Sequence, residues 1–308
     1  MIINKKTTIL LLVLEWLTLS PVAMAGEKNP LKDYKLVWSD EFNDDTLNTN
    51  YWNIEINGNG NGNGELEYYT DHPANVTLGK DPQSGEHCLI LTARREKYKG
   101  KDFTSGRITT ANKKIFTHGR VESRIKLPRT ANGLWPAFWL LGNNYYTIGW
   151  PRCGEIDILE MGHADGIKKG EQDKLFNGAC HWGFWKDGTY PNHAKATANE
   201  KPLQDGEFHV FTLEWDEKHI KMYLDQDKNP KVKPYYELDI KSKDGDWAAG
   251  HYFNHDFFIL FNLAVGGMFT GIENSDDITA LDRGEAKMYV DWVRVYQKEK
   301  IINNKKEK

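Results

Sequence analysis

From residue 36 onward, clusters of Gly, Asn, Asp and Pro cut the sequence into short runs of Val, Ile, Leu, Tyr, Phe and Trp, and few long stretches carry a helical period. Residues 119–127 show the consequence most clearly. Val121, Ser123, Ile125 and Leu127 fall on one face of a two-residue repeat, and Arg120, Glu122, Arg124 and Lys126 fall on the other. This alternation predicts a strand with one packed and one wet face. Comparable strands are predicted at 36–42, 89–95, 137–141, 155–161, 210–215, 220–224, 257–265 and 288–296. So many strands at irregular spacing fit an all-β fold of two packed antiparallel sheets with long loops at their ends. No fixed-period repeat interrupts this pattern, and no stretch has linker composition. Residues 26–297 therefore read as one domain, followed by a polar, basic tail over 298–308.

The first 25 residues stand apart. Lys5 and Lys6, an apolar run over 9–14 and Ala23-Met24-Ala25 have the layout of a secretory signal peptide, although Glu15 interrupts the apolar stretch. Cleavage is expected after Ala25, giving a secreted or periplasmic protein. No later run approaches the roughly 18 apolar residues of a membrane span. The formal net charge is −4, with Lys and Arg spread along the chain, so no footprint for nucleic acid is expected. Cys88, Cys153 and Cys180 are too few for a disulfide scaffold and lack zinc-site spacing. Buried free thiols are expected, and a Cys153–Cys180 pair depends on whether their strands are neighbours.

Eleven tryptophans need a use, either in a bulky sandwich core or in a cleft where indole planes receive the C–H faces of sugar rings. The alternating Asn and Gly of 57–64 make a loop. It is either a surface turn or a cleft rim, since Glu65, Glu67, Tyr68 and Tyr69 follow at once.

The segment 150–161, Trp-Pro-Arg-Cys-Gly-Glu-Ile-Asp-Ile-Leu-Glu-Met, sets three carboxylates among strong strand formers. On a regular strand Glu155 and Asp157 share a face, while Glu160 is an odd number of steps from Glu155 and points the other way. A one-residue β-bulge near Ile158-Leu159 restores the phase. Glu155 and Glu160 are then about four effective steps apart, roughly 13 Å between Cα atoms at about 3.3 Å per step. Converging side chains bring that span toward the roughly 5–5.5 Å of a retaining glycosidase, not the roughly 6.5–9.5 Å of an inverting one. One carboxylate would attack as an anion, the other would donate a proton, and Asp157 would tune the pair. By itself the same E-x-D-x-x-E also fits a solvated acidic edge or a calcium site.

In its context the motif resembles the active-site signature of glycoside hydrolase family 16, above all its laminarinase-like branch. Similar in type and order are Trp38-Ser39-Asp40-Glu41-Phe42-Asn43, Thr104-Ser105-Gly106-Arg107-Ile108, Trp135-Pro136-Ala137-Phe138-Trp139-Leu140-Leu141 and Cys180-His181-Trp182-Gly183. So are Asn262-Leu263-Ala264-Val265-Gly266-Gly267 and Val290-Asp291-Trp292-Val293-Arg294-Val295-Tyr296. The resemblance implies a β-jelly-roll sandwich of two curved antiparallel sheets with a concave substrate cleft. It implies an endo-acting retaining β-glucanase that hydrolyses β-1,3-glucan (laminarin), mixed-linkage β-1,3-1,4-glucan or both by double displacement, expected as a monomer. Glu155 corresponds to the nucleophile, Glu160 to the acid/base and Asp157 to the assisting carboxylate. Trp135 and Trp139 look like the cleft tryptophans and His181 like the histidine beside the carboxylates; Arg107, Glu67 and Asn262 are candidate contacts to sugar hydroxyls.

No cofactor is implied for catalysis. A structural calcium ion on the convex face is implied, with Glu41, a carbonyl near Gly85 and Asp291 as ligands. The bulged motif points toward β-1,3-glucan but is shared by enzymes acting on mixed-linkage glucan and on galactans such as agarose. Two departures, the Asn/Gly-rich insertion and Met268-Phe269-Thr270 where laminarinases often have Asn and Trp, are expected to reshape the cleft rim. Loops at 145–146, 166–173 and 244–255 are expected to set the subsites. The alternatives are a galactan hydrolase of the same fold and a non-catalytic glucan-binding module. Against the second stands the cost of clustering three carboxylates.

Overall fold

A computed structural model describes residues 31–299. The signal-peptide segment, the cleavage site and residues 300–308 of the tail lie outside the described residues. Lys298, expected in that tail, still belongs to the final strand, Glu285–Lys298.

The described chain is all-β, with two sheets facing each other. The ten-stranded sheet runs Tyr236–Asp239, His219–Leu224, His209–Trp215, Gly119–Lys126, Glu285–Lys298, His87–Tyr98, Lys101–Ser105 and Glu67–Tyr69. Tyr34–Asp40 joins on Glu285–Lys298, and Val76–Lys80 on His87–Tyr98. The eight-stranded sheet runs Asn192–Ala198, Leu175–His181, Glu155–Met161, Leu134–Gly142, Phe257–Val265, Arg107–Thr109 and Asn53–Ile54, with Ile115–Phe116 beside Phe257–Val265. Glu67–Tyr69 pairs with Lys101–Ser105 in parallel; the other pairings are antiparallel.

The space between the sheets is filled by the apolar phase of each strand, Val121 and Ile125 against Phe138, Ile156, Phe176, Ile259 and Phe261. Trp38, Trp52, Trp182 and Trp215 belong to this core. Trp135, Trp139, Trp150 and Trp185 lie outside this core, so core packing accounts for only some of the tryptophans. Among the described residues the three cysteines are buried and free. Cys180 packs in the main core and Cys153 in a separate cluster with Leu141 and Phe258, which explains why they do not pair.

The wet face expected for 119–127 is not wet at its start. Arg120 and Glu122 are buried. The neighbouring strand sets Glu214 opposite Arg120 and Thr212 opposite Glu122. Arg120 donates to Glu122 and Glu214, the latter at 2.7 Å, and to Gln226 at 2.6 Å. Ion pairing there replaces solvent.

The calcium site is not assembled as expected. Both oxygens of Glu41 accept from Arg294, at 3.0 and 2.7 Å, and Asp291 accepts from Arg124. The arginine pairing holds the Glu41 carboxyl below the usual range. With each carboxylate already neutralised by a guanidinium, Glu41, Gly85 and Asp291 do not fit a hard divalent cation, which needs several free oxygens.

Candidate active site

The strand Glu155–Met161 lies in the interior of the eight-stranded sheet, and the bulge expected from its hydrophobic phase is present. Against Leu134–Gly142 the register runs Leu141 to Glu155, Leu140 to Ile156 and Trp139 to Asp157, then resumes with Phe138 to Leu159 and Ala137 to Glu160. Ile158 is the extra residue. Against Leu175–His181 the register breaks over the same residues, with His181 opposite Glu155, Ala179 opposite Asp157 and Asn177 opposite Glu160. Ile156, Ile158, Leu159 and Met161 all enter the core. Glu155, Asp157 and Glu160 therefore share the outer face, and the small side chains of Ala137 and Ala179 leave room beside them.

Each glutamate receives one indole N–H. Trp150 donates to Glu155 Oε2 and Trp135 to Glu160 Oε1, both at 3.1 Å. His181 Nε2 lies 3.4 Å from Asp157 Oδ2 and 3.9 Å from Glu155 Oε1, while its Nδ1 is 3.0 Å from the Tyr190 hydroxyl. Ligand-type atoms of Glu155, Asp157 and His181 all lie within 4.8 Å of one another.

So compact an acidic group cannot hold three full charges out of water. Burial, then Asp157, pushes Glu155 up to about 8, while His181, Arg107 and Trp150 oppose the shift. Burial, then Asp157, also holds Glu160 well above the usual carboxylate range, with His181 and Trp135 opposing. Burial raises Asp157 in the same direction, and its Oδ2 oxygen is buried without a hydrogen bond. Glu155 thus faces more groups that favour the anion than Glu160 does, and Glu160 is the better proton store.

The neighbouring strands extend this face. Trp139 donates to Asn262 Oδ1 at 2.8 Å, and Asn262 Nδ2 donates to the Tyr69 hydroxyl at 3.3 Å. Tyr69 donates in turn to Glu65 at 3.0 Å. The Arg107 guanidinium lies 5.0 Å from the centre of the Trp139 ring, and its Nε is 2.7 Å from Glu55. Arg107 and Asn262 are buried, so they sit in the floor of the face and hold Trp139 in place.

Two expected sugar contacts are placed differently. Glu67 is buried and accepts the Val265 N–H at 2.7 Å; burial and Glu65 push it well above the usual carboxylate range. It ties the two sheets together and is not at the cleft surface. Trp135 is on the face, but its ring is stacked on Phe269 at 4.5 Å and 12°, so Phe269 covers the indole plane while its N–H serves Glu160. Phe269 in turn meets the His163 ring edge-on at 4.9 Å.

The 57–64 loop forms an ordered rim. Asn59 caps the 3₁₀ turn Gly60–Gly62, and Asn63 O accepts the Met268 N–H at 2.8 Å, next to Phe269. A Cβ on Gly267 would lie 2.7 Å from that same Asn63 oxygen. Sequence reasoning assigned no role to Trp150, Tyr190 or Glu55, and placed Phe269 only in a segment expected to reshape the cleft rim. The only signal for Trp150 was its place at the head of the acidic motif, and for Phe269 its departure from the family pattern.

Over residues 69–240 the chain matches the family described as Glycosyl hydrolases family 16. It is 33% identical over 275 residues to the Beta-glucanase of Rhodothermus marinus, covering 86% of this chain and 85% of that one. It is 32% identical over 267 residues to the Clotting factor G alpha subunit of Tachypleus tridentatus, of which it spans 34%. A solved structure described as a Bacteroides ovatus mixed linkage glucan GH16 in complex with G4G4G3G product is 39% identical, with a TM-score of 0.73, covering 84% of this chain and 100% of that chain. The matched segment contains all three carboxylates of the bulged strand, His181 and Trp139, and the chain belongs to glycoside hydrolase family 16.

Proposed function

We propose that this protein is an endo-acting, retaining β-1,3(4)-glucanase in which Glu155 attacks, Glu160 donates and recovers the proton, and Asp157 assists. The observation that carries this reading is the bulged strand, which turns three carboxylates to one face and gives each glutamate its own N–H donor.

In the first step Glu160 protonates the glycosidic oxygen as Glu155 bonds to the anomeric carbon, and the bond to the leaving sugar breaks. Esterification removes the negative charge of Glu155, one of the groups that raise Glu160. Glu160, now a carboxylate with a weaker hold on protons, takes one from water, and that water releases the sugar from Glu155. Asp157 and His181, 3.4 Å apart, stand together beside the reacting centre.

The similarity to a beta-glucanase and to a mixed-linkage glucan GH16 structure supports β-1,3(4)-glucan as substrate, mixed-linkage glucan included. Secretion, read from the leader-like first 25 residues, and a monomeric state complete the proposal; N-terminal sequencing of exported protein and size-exclusion chromatography test them.

The deciding experiment is product release from laminarin, barley mixed-linkage glucan and agarose by wild type and Glu155→Gln, with the first-formed anomer followed by NMR. Glucan cleavage giving the β-anomer, lost by about 10³-fold or more in the variant, is expected. Cleavage of agarose alone, an α-anomer as first product, or an active variant would overturn it.

A further inference from the structure

Residues 183–191 form a loop whose rigidity contrasts with what it displays. Lys186 and Thr189 exchange backbone hydrogen bonds at 2.8 and 3.1 Å around Asp187-Gly188, both at positive φ (53° and 77°). This is the tight Asp-Gly hairpin turn whose twist matches its strands. At the loop's base Trp182 is buried, donates to Trp247 O at 2.8 Å and bonds through its backbone N–H to Pro191 O at 3.1 Å. A Cβ on Gly183 would lie 2.6 Å from Pro191 Cγ, so the two arms of the loop touch. Phe184 is held between the Arg152 guanidinium at 5.6 Å and Trp247 at 5.8 Å.

On this braced hairpin Trp185 is 54% exposed. It joins a second exposed ring, Trp150, at 6.1 Å, and contiguous exposed apolar surface of this kind marks a binding site. Its neighbours connect it to the carboxylates. Tyr190 packs against both Trp185 and Trp150, at 4.6 and 4.8 Å, the two tryptophans themselves lie 6.1 Å apart, the Tyr190 hydroxyl is on His181, and Trp150 donates to Glu155. Tyr145, Tyr146 and Ile148, all exposed, continue the apolar rim along the segment that leads into Trp150.

We infer that Trp185 is a sugar-binding platform that extends the glucan track past His181, and that the enzyme uses it to favour long chains. This rests on the glucanase reading above and names a binding site for that substrate. The indole plane receives the C–H face of a glucosyl ring, and Tyr190 and Trp150 fix the platform's distance from the reacting carboxylates.

The test compares wild type with Trp185→Ala and Trp185→Tyr on β-glucan oligosaccharides of increasing length and on barley glucan. For Trp185→Ala, kcat/KM on the polymer is expected to fall by about 10–30-fold, from the loss of a covered indole face. On the shortest cleaved oligosaccharide it stays within about threefold, and Trp185→Tyr recovers much of the difference. Binding is read separately in a Glu155→Gln background, where Trp185→Ala should weaken a long oligosaccharide by a similar factor. Thermal unfolding confirms that each variant folds. An equal effect at all chain lengths, or unchanged binding in the inactive background, overturns the platform. Failure of wild type to cleave any β-glucan overturns the glucanase reading instead.

Discussion

Replacing Trp135 with Phe removes a single N–H from Glu160 and leaves a ring that still stacks on Phe269. The donor lies 3.1 Å from Glu160 Oε1 in a buried setting. A hydrogen bond to a charged group contributes about 1.5–3 kcal/mol, and a neutral indole at this distance belongs at the lower end. At about 1.36 kcal/mol per pKa unit, losing it raises the proton affinity of Glu160 by about one unit. Asp157, Glu155 and His181 are the titratable groups that remain around it. Glu160 must hold its proton to start the reaction, so the basic limb of kcat/KM moves up by about one unit. The acid limb, set by ionisation of Glu155, stays. Activity thus extends toward alkaline pH in a variant that has lost a contact in the active site. The assay is kcat/KM on soluble barley glucan from about pH 4 to about pH 10, read as the macroscopic steps of the cluster. A basic limb that stays or moves down would refute the reasoning, as would limbs that move together.

The complementary variant Trp150→Phe removes the N–H from Glu155 and should raise the acid limb instead. Because Trp150 is 37% exposed, the shift is smaller, about half a unit, and an unmoved acid limb in the same assay would count against it. Glu67→Gln should stabilise the fold, since native Glu67 is held well above its unfolded value. Its cost is absent below the unfolded value, near pH 4, and grows as pH rises toward the folded one. A gain of about 1 kcal/mol, roughly 2–4 °C in Tm, is expected near pH 8 and little near pH 4; the same gain at both would show that another cause is at work. Arg120→Met should cost about 3–5 kcal/mol in chemical denaturation by leaving Glu122 buried and uncompensated, and a loss under about 1 kcal/mol would mean that solvent reaches the pair.

What could be read from the sequence was whatever depends on phase. Glu155–Met161 and Phe257–Val265 have the expected bounds because each is a run of strand formers. Leu175–His181 was not foreseen, since Asn177 and Gly178 interrupt its run of strand formers. Gly178 is there because Met222, Tyr235 and Tyr236 pack so closely that an added Cβ would lie 2.9 to 3.1 Å from them. Asn192–Ala198 escaped as well: it is a largely exposed edge strand, with no apolar alternation to mark it. At the site the same contrast holds. The carboxylates and their bulge follow from one strand's pattern, but Trp150, Tyr190 and Phe269 arrive from loops whose paths no local pattern fixes. Glu67 had the right chemistry for a sugar contact, and only its burial against the Val265 backbone shows another use.

The bulge links the active site to the core. Two consecutive apolar residues, Ile158 and Leu159, both enter the same core between the sheets, which the alternation of a regular strand does not allow, and that turns Glu160 back to the face of Asp157. The bulge also takes the Ile158 carbonyl out of the regular ladder, where an unpaired acceptor would be costly. Tyr235 fills that need: its buried hydroxyl donates to Ile158 O, its backbone N–H bonds to Met222 O, and its ring packs against Phe176 at 4.9 Å. Met222 belongs to the opposite sheet. The spacing between the two glutamates is therefore held from the far layer of the sandwich, through a residue that touches neither carboxylate. Loosening Tyr235 would let Ile158 and Leu159 compete for one position in the core and release the phase of Glu160, while Glu155, anchored ahead of the bulge, keeps its place.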